Sequence, residues 1–283
     1  MKLRAGGIEI SYELSGQGAP LVLIHGFTDN LRMWFDQVAA FAGRFEVLSY
    51  DVRGHGETET PAGGFSMDLF VADLRALLAA LEIEKACLLG YSMGGRIALQ
   101  FALEHPESTA GLVFANSGVR GAGTELTEAQ LAELVERRRQ MAEMLGTGDI
   151  EVIADGMAER SFSPGLRDRD PVLFRKYKEV KLRNDPRHYP AILEALVQAM
   201  ASPPDLTELH CPALIIAGDR DSFMAVEEAR AMQKAIGDST VVILPTGHAA
   251  AIEAPQAFNQ AVLDFMSRHE PVMSAIRDEE RRR

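Results

Sequence analysis

The chain has 283 residues, 47% of them hydrophobic and 25% charged, with a formal charge of −12; this is the profile of a folded protein with a sizeable core, not of a disordered or fibrous one. The acidic balance and the lack of a long basic tract argue against nucleic acid as a partner, because phosphate backbones would be repelled. No window approaches 18 uncharged apolar residues, so no membrane span is expected, and Cys87 and Cys211, each beside an apolar run, read as buried thiols rather than a disulfide framework.

The N-terminal MKLRAGGIEISYELSG alternates apolar and polar residues, lacks the continuous apolar stretch of a signal peptide, and predicts a strand or hairpin; a cytoplasmic location is the default expectation. Apolar runs follow at 20–24 (PLVLI), 45–50 (FEVLSY), 86–90 (ACLLG), 111–116 (GLVFAN), 213–218 (ALIIAG) and 240–244 (TVVIL), each predicting a buried strand. Between the second and third, SMDLFVADLRALLAALEI (66–83) sets Leu69, Phe70, Leu74, Leu77, Leu78 and Leu81 on one helical stripe. This alternation predicts an α/β fold with a mostly parallel sheet, helices on both faces and right-handed crossovers.

The alternation stops after Asn116. No strand-like run appears from about 120 to 205, whereas TEAQLAELVERRRQMAEML (127–145) and PAILEALVQAM (190–200) read as helices. The expected organisation is a core formed by 1–119 and 206–270, a helical cap inserted over 120–205, a last helix over 255–268, and a solvated tail over 271–283.

The segment with the clearest chemistry is Gly90-Tyr91-Ser92-Met93-Gly94, a G-x-S-x-G pattern with a predicted strand before it and a predicted helix after it. A sharp strand-to-helix turn strains the serine backbone and leaves no room for side chains at the flanking positions. It exposes the hydroxyl at the carboxyl edge of the sheet, where the helix N-terminus and the Met93 N–H favour a developing oxyanion. Gly95 fits a close approach of the helix to the sheet. No lysine follows these glycines, so a phosphate-binding loop is a poor match.

A nucleophilic serine needs a base and the base needs an orienting acid. Of seven histidines, His248 stands directly after the last apolar strand, on the edge expected for Ser92; His25 and His55, in glycine-flanked turns, read as structural. Asp219 and Asp221 both follow the strand ALIIAG. Asp221 is preferred because it can turn back towards the histidine, with Asp219 assigned to an Asx-type turn; after the preceding strand stands Asn116, which is not a carboxylate. The second oxyanion donor is expected from the loop after the first core strand, with the Phe27 N–H as candidate.

With HGFTD (25–29), DVRGHGET (51–58), GYSMGG (90–95), GDRD (218–221) and GHAAAIEAP (247–255) in this order, the chain resembles the α/β-hydrolase superfamily over almost its whole length. The resemblance supports Asp221 as the acid and departs from the usual pattern at Ala225, where a proline is common. It implies that Arg53, Gly54 and His55 brace a turn beside the site.

A serine nucleophile suits acyl transfer, so the expected reaction is cleavage of a small carboxylic ester or lactone through an acyl-enzyme, with no cofactor and no metal. Arg96, four residues after Ser92, gives GYSMGGR a resemblance to menaquinone-pathway cyclohexadiene carboxylate synthases, which eliminate pyruvate. Similar motifs occur in enol-lactonases and C–C bond hydrolases, and a catalytically silent ligand-binding scaffold is the remaining alternative. Arg96 is read either as a substrate-binding residue or as a helix residue paired to a nearby acid or carbonyl. Trp34 is a candidate pocket border or a packing residue. Met141, Met144, Leu145, Met157, Phe162, Phe174, Tyr177 and Tyr189 are candidate cavity or cap-core side chains, and the arginines at 137–139 read as a solvated helix face or, alternatively, a carboxylate clamp. Monomer and homodimer are both open.

Overall fold

The computed structural model describes residues 1–61, 64–119, 136, 139–201 and 203–269. Its strands are β1 (Lys2–Ala5), β2 (Ile8–Ser15), β3 (Ala19–Ile24), β4 (Phe45–Tyr50), β5 (Ala86–Tyr91), β6 (Thr109–Ala115), β7 (Ala213–Gly218) and β8 (Ser239–Leu244), joined in one sheet of order β1-β2-β4-β3-β5-β6-β7-β8. The N-terminal hairpin β1-β2 is antiparallel and pairs antiparallel to β4; every other pairing is parallel. The six predicted apolar runs are all strands of the parallel part, with bounds within two residues of expectation. They are legible because a parallel strand covered on both faces is apolar throughout.

Alternation along each strand then divides the core. Val22, Ile24, Leu48, Leu88, Leu112 and Ile215 face a layer that contains α2 (Met67–Ala80), α3 (Met93–Glu104) and α7 (Val226–Ala235). Leu21, Leu23, Val47, Leu89, Val113 and Leu214 face α1 (Gln37–Phe41) and α8 (Pro255–Arg268). In α2 the predicted stripe is buried through Phe70, Leu74, Leu77 and Leu78, joined by Val71. Each such side chain contributes about 1.5–3 kcal/mol of burial energy. The helix starts where it does because Ser66 caps it, accepting from the Leu69 N–H at 3.2 Å.

Between β6 and β7 the described residues contain no strand. Residues 139–146 are helical, followed by α4 (Ile150–Ser161), α5 (Pro171–Lys181) and α6 (Tyr189–Ala201). Residues 127–135, Arg137 and Arg138 lie outside the described residues, as does the expected tail over 271–283. Arg139 is exposed and pairs with Glu136 and Glu143 one turn away on either side, an ion-paired solvated face. Among the described residues no helix is long and apolar enough to cross a membrane.

Candidate active site

The parallel strands deliver their successor loops to one edge of the sheet: Phe27 follows β3, Ser92 follows β5, Asn116 follows β6, Asp221 follows β7 and His248 follows β8. This carboxyl edge is where sheets of this kind place ligand-binding loops.

Ser92 sits at the junction of β5 and α3 with φ 51° and ψ −112°, a strained conformation for a residue with a Cβ. Its neighbours show why they are glycines. A Cβ on Gly90 would lie 2.3 Å from the Gly94 carbonyl oxygen, and one on Gly94 would lie 2.1 Å from the Ile24 carbonyl oxygen. At Gly95 a Cβ would meet the Ser117 side chain at 2.4 Å, so the third glycine lets α3 pass close to the end of β6. The bend is further held by the Ser92 N–H on Ala115 O at 3.0 Å and by Ser117 Oγ donating to Ser92 O at 2.7 Å.

Ser92 Oγ lies 2.9 Å from His248 Nε2, and His248 Nδ1 lies 2.8 Å from Asp221 Oδ2. The ionised carboxylate takes the Nδ1 proton as a hydrogen bond, which leaves Nε2 as the acceptor for the serine hydroxyl. The Asp221 side chain is fully buried, and both its oxygens are occupied. Oδ2 also accepts from the Asn116 side-chain amide at 3.0 Å, while Oδ1 accepts from the Phe223 N–H at 2.7 Å and the Met224 N–H at 3.2 Å. Burial by itself would raise this carboxyl group's pKa; the interaction with His248 and the donors around it outweigh burial and hold it below the usual range. The turn expected of Asp219 is therefore made by Asp221, because the bends at Phe223 and Met224 present their N–H groups to Asp221. Asp219 instead faces solvent, 3.6 Å from Arg220.

The His248 ring is flanked by Phe223 and Tyr91, with centroids 4.6 and 5.1 Å away. Its loop is fixed from behind by Glu253, which accepts from the Gly247 N–H at 2.8 Å and the Ser163 N–H at 3.0 Å and also bonds Ser163 Oγ.

Met93 is the first residue of α3, so its N–H has no carbonyl partner within the helix. In the 25–30 loop the Thr28 N–H donates to His55 Nε2 at 3.3 Å and the Asp29 N–H to Gly26 O at 3.2 Å; the Phe27 N–H has no acceptor among the described residues. Two amides at the carboxyl edge thus lack a backbone acceptor of their own, one in the loop after β3 and one at the first residue of α3. His25 and His55 are structural: each is buried, accepts a backbone N–H at Nε2 and faces a carbonyl oxygen at Nδ1. Burial lowers the pKa of both, His55 to about 4. Arg53 braces its turn through a two-point bond to Asp73 on α2, with both contacts at 2.7 Å.

Trp34 is fully buried among the core side chains on the α1 and α8 side. Tyr177 and Tyr189 are likewise fully buried, and Arg96 is half-buried on the first turn of α3. Sequence reasoning missed Asn116 as a partner of Asp221 and missed Lys181, whose side chain is buried against Asp29. Among the described residues no group of three or more His, Cys, Asp or Glu side chains is placed to hold a metal ion.

The chain is similar to 3-oxoadipate enol-lactonase 2 of Acinetobacter baylyi, with 31% identity covering 94% of this chain and 96% of the relative. It is also similar to the putative 2-succinyl-6-hydroxy-2,4-cyclohexadiene-1-carboxylate synthase of Bacillus subtilis, with 28% identity over 87% of this chain and 90% of that one. Among solved structures, the enol-lactonase of Burkholderia xenovorans LB400 superposes with a TM-score of 0.81 at 27% identity, covering 94% of this chain and all of the other. A family model described as alpha/beta hydrolase fold matches residues 19–255, and the chain is an enzyme of the α/β-hydrolase family.

Proposed function

We propose that the protein is a serine hydrolase that opens a small carboxylic ester or lactone through an acyl-enzyme. The observation that carries this reading is the unbroken chain Ser92 Oγ, His248 Nε2, His248 Nδ1, Asp221 Oδ2, with contacts of 2.9 and 2.8 Å. The similarity to enol-lactonases supports an ester or lactone carbonyl as the target.

In this mechanism His248 Nε2 takes the Ser92 proton as Oγ bonds to the carbonyl carbon, and the carbonyl π electrons move onto oxygen, which the Phe27 and Met93 N–H groups receive. The carbonyl re-forms as the C–O bond to the leaving alkoxide, or to the ring oxygen of a lactone, breaks and that oxygen takes the proton from His248. Water then gives a proton to His248 and attacks the acyl-enzyme; collapse releases the acid and returns the proton to Ser92. Asp221 stays ionised throughout and stabilises the imidazolium. The helical segment between β6 and β7 acts as a cap over the site and selects the substrate, which reaches the enzyme as a free small molecule in the cytoplasm.

The test is turnover of short p-nitrophenyl esters and of an enol-lactone by wild type and Ser92→Ala, with labelling by a fluorophosphonate read as intact mass. Turnover and a single adduct that both vanish in Ser92→Ala are expected; equal turnover in the variant would remove this mechanism. A second reading, elimination of pyruvate by the same three residues, draws on the Bacillus relative and on Arg96 beside the elbow. Pyruvate release from a pyruvate-eliminating substrate, with no turnover of esters or lactones, would favour it.

A further inference from the structure

Each residue from Phe27 to Asn30, in the loop that carries the Phe27 amide, makes a contact to the end of α5 or the start of α6. The Phe27 ring meets Tyr189 at a steep angle, with centroids 5.2 Å apart. The Thr28 carbonyl accepts from the Asn184 amide at 2.9 Å, and Thr28 Oγ1 accepts from Lys181 Nζ at 3.3 Å. Asp29 takes Lys181 Nζ on Oδ1 at 2.7 Å and the Tyr177 hydroxyl on Oδ2 at 3.1 Å. Asn30 donates to the Val180 carbonyl at 2.6 Å. Asn184 continues across the gap, its Oδ1 accepting from the Gly56 N–H of the neighbouring loop at 2.6 Å.

The centre of this arrangement is an ion pair removed from water: the Lys181 and Asp29 side chains are each 1% exposed. Such a pair adds little net stability, because loss of hydration offsets the attraction, but breaking it leaves a lone buried charge, so it holds its two ends in one relative position. One end is two residues from Phe27, and the other belongs to the segment between β6 and β7. Thr28 and Asp29 spend their own N–H groups inside the core, on His55 and Gly26. Of the three amides over 27–29, the anchored loop therefore keeps that of Phe27 available.

We infer that Lys181 and Asp29, assisted by Tyr177 and Asn184, are positioning residues that set the Phe27 N–H against Ser92, so the oxyanion site is completed only when the segment between β6 and β7 is docked. This rests on the ester- or lactone-cleaving reading above. A displacement of a catalytic group by about 1 Å costs on the order of a hundredfold in rate, so loosening the anchor should be read in kcat.

The experiment compares wild type, Lys181→Met, Asp29→Asn and the double variant Asp29→Asn/Lys181→Met, the last of which leaves no unpaired charge and is the one designed to stay folded. Three quantities are measured: kcat and KM on p-nitrophenyl acetate, the affinity of a trifluoromethyl ketone that Ser92 adds to reversibly, and hydrogen exchange of peptides spanning 25–30. In the double variant kcat should fall by roughly 10- to 100-fold with KM within about threefold, the ketone should weaken by a similar factor, and exchange over 25–30 should rise. A folded double variant with unchanged kcat and ketone affinity overturns the inference, as does a change confined to KM. If wild type itself neither turns over the ester nor binds the ketone, the functional reading falls; faster exchange over 25–30 in the double variant would still support the anchoring, and unchanged exchange would overturn it too.

Discussion

Asn116 donates its side-chain amide to Asp221 Oδ2 at 3.0 Å, the same oxygen that accepts from His248. Asn116 has φ 48°, at the end of β6, and also donates to the Gly247 carbonyl at 3.3 Å, so one side chain links Asp221 to the residue preceding His248. With Asp221→Asn the oxygen facing Nδ1 can be replaced by an amide donor, which forces the imidazole into the wrong tautomer. The expected loss in kcat is about 10⁴-fold. Asn116→Leu removes only one of four donors to the carboxylate and should cost far less, on the order of tenfold, close to a single hydrogen bond to a charged group. Steady-state kinetics on one ester decides it: Asp221→Asn with near-normal kcat would move the acid elsewhere.

Acid should weaken the fold through His55 before it reaches ordinary carboxylates. Burial lowers the His55 pKa to about 4, whereas an unfolded histidine titrates near 6.5. Between these values the unfolded chain binds a proton that the folded one does not. The stabilising contribution is complete above about pH 6.5 and is lost as pH falls towards 4, by about 3 kcal/mol. Asp29, Asp51 and Asp73, raised by burial, pull in the opposite direction, so the difference between wild type and His55→Gln isolates the histidine. Urea unfolding from pH 7.5 to 4 should show wild type losing about 3 kcal/mol more than the variant; parallel profiles would contradict this.

Two glycine-to-alanine substitutions should behave oppositely. At Gly94 the added methyl would lie 2.1 Å from the Ile24 carbonyl oxygen, and relief requires moving β3 or α3. At Gly43 nothing stands within 4 Å. Gly94→Ala should lose more than about 2 kcal/mol, while Gly43→Ala should be neutral or gain a few tenths through the unfolded chain. Thermal melts of the two proteins give the comparison.

The Arg53–Asp73 pair, with side chains 6% and 5% exposed, is a second buried charge contact. Asp73→Asn or Arg53→Met alone strands a charge and should cost about 3–5 kcal/mol. Asp73→Leu/Arg53→Met should recover much of that loss. A double variant no more stable than the singles would show that the two-point geometry, not the lone charge, is what matters.

The positions that could be recognised in the sequence are those whose signal is local. Parallel strands are continuous apolar runs, the elbow compresses its steric demand into five residues, and His248 is marked by its place directly after an apolar strand. Lys181 carried no such mark: KEVKLRND reads as a solvated helix end, and nothing in its spacing pairs it with Asp29, 152 residues away. Asn116 is a neutral amide at the end of β6, and only the fold shows that it donates to the Asp221 carboxylate. Asp219 and Asp221 stand in one short loop with the same chemistry, and only the backbone course decides which of them the Phe223 and Met224 amides surround.

Ser92 and His248 are 156 positions apart, and the whole segment between β6 and β7 lies between them in the chain. During synthesis, β3, β4 and β5 can pair and bend the elbow long before β7 and β8 exist. Until those last strands pair, neither His248 nor Asp221 is held in the contacts that end at Ser92 Oγ. On the proposed mechanism, reactivity towards an acylating reagent therefore requires β7 and β8 in place, and a labelled serine would mark the closing of those strands rather than the formation of the first.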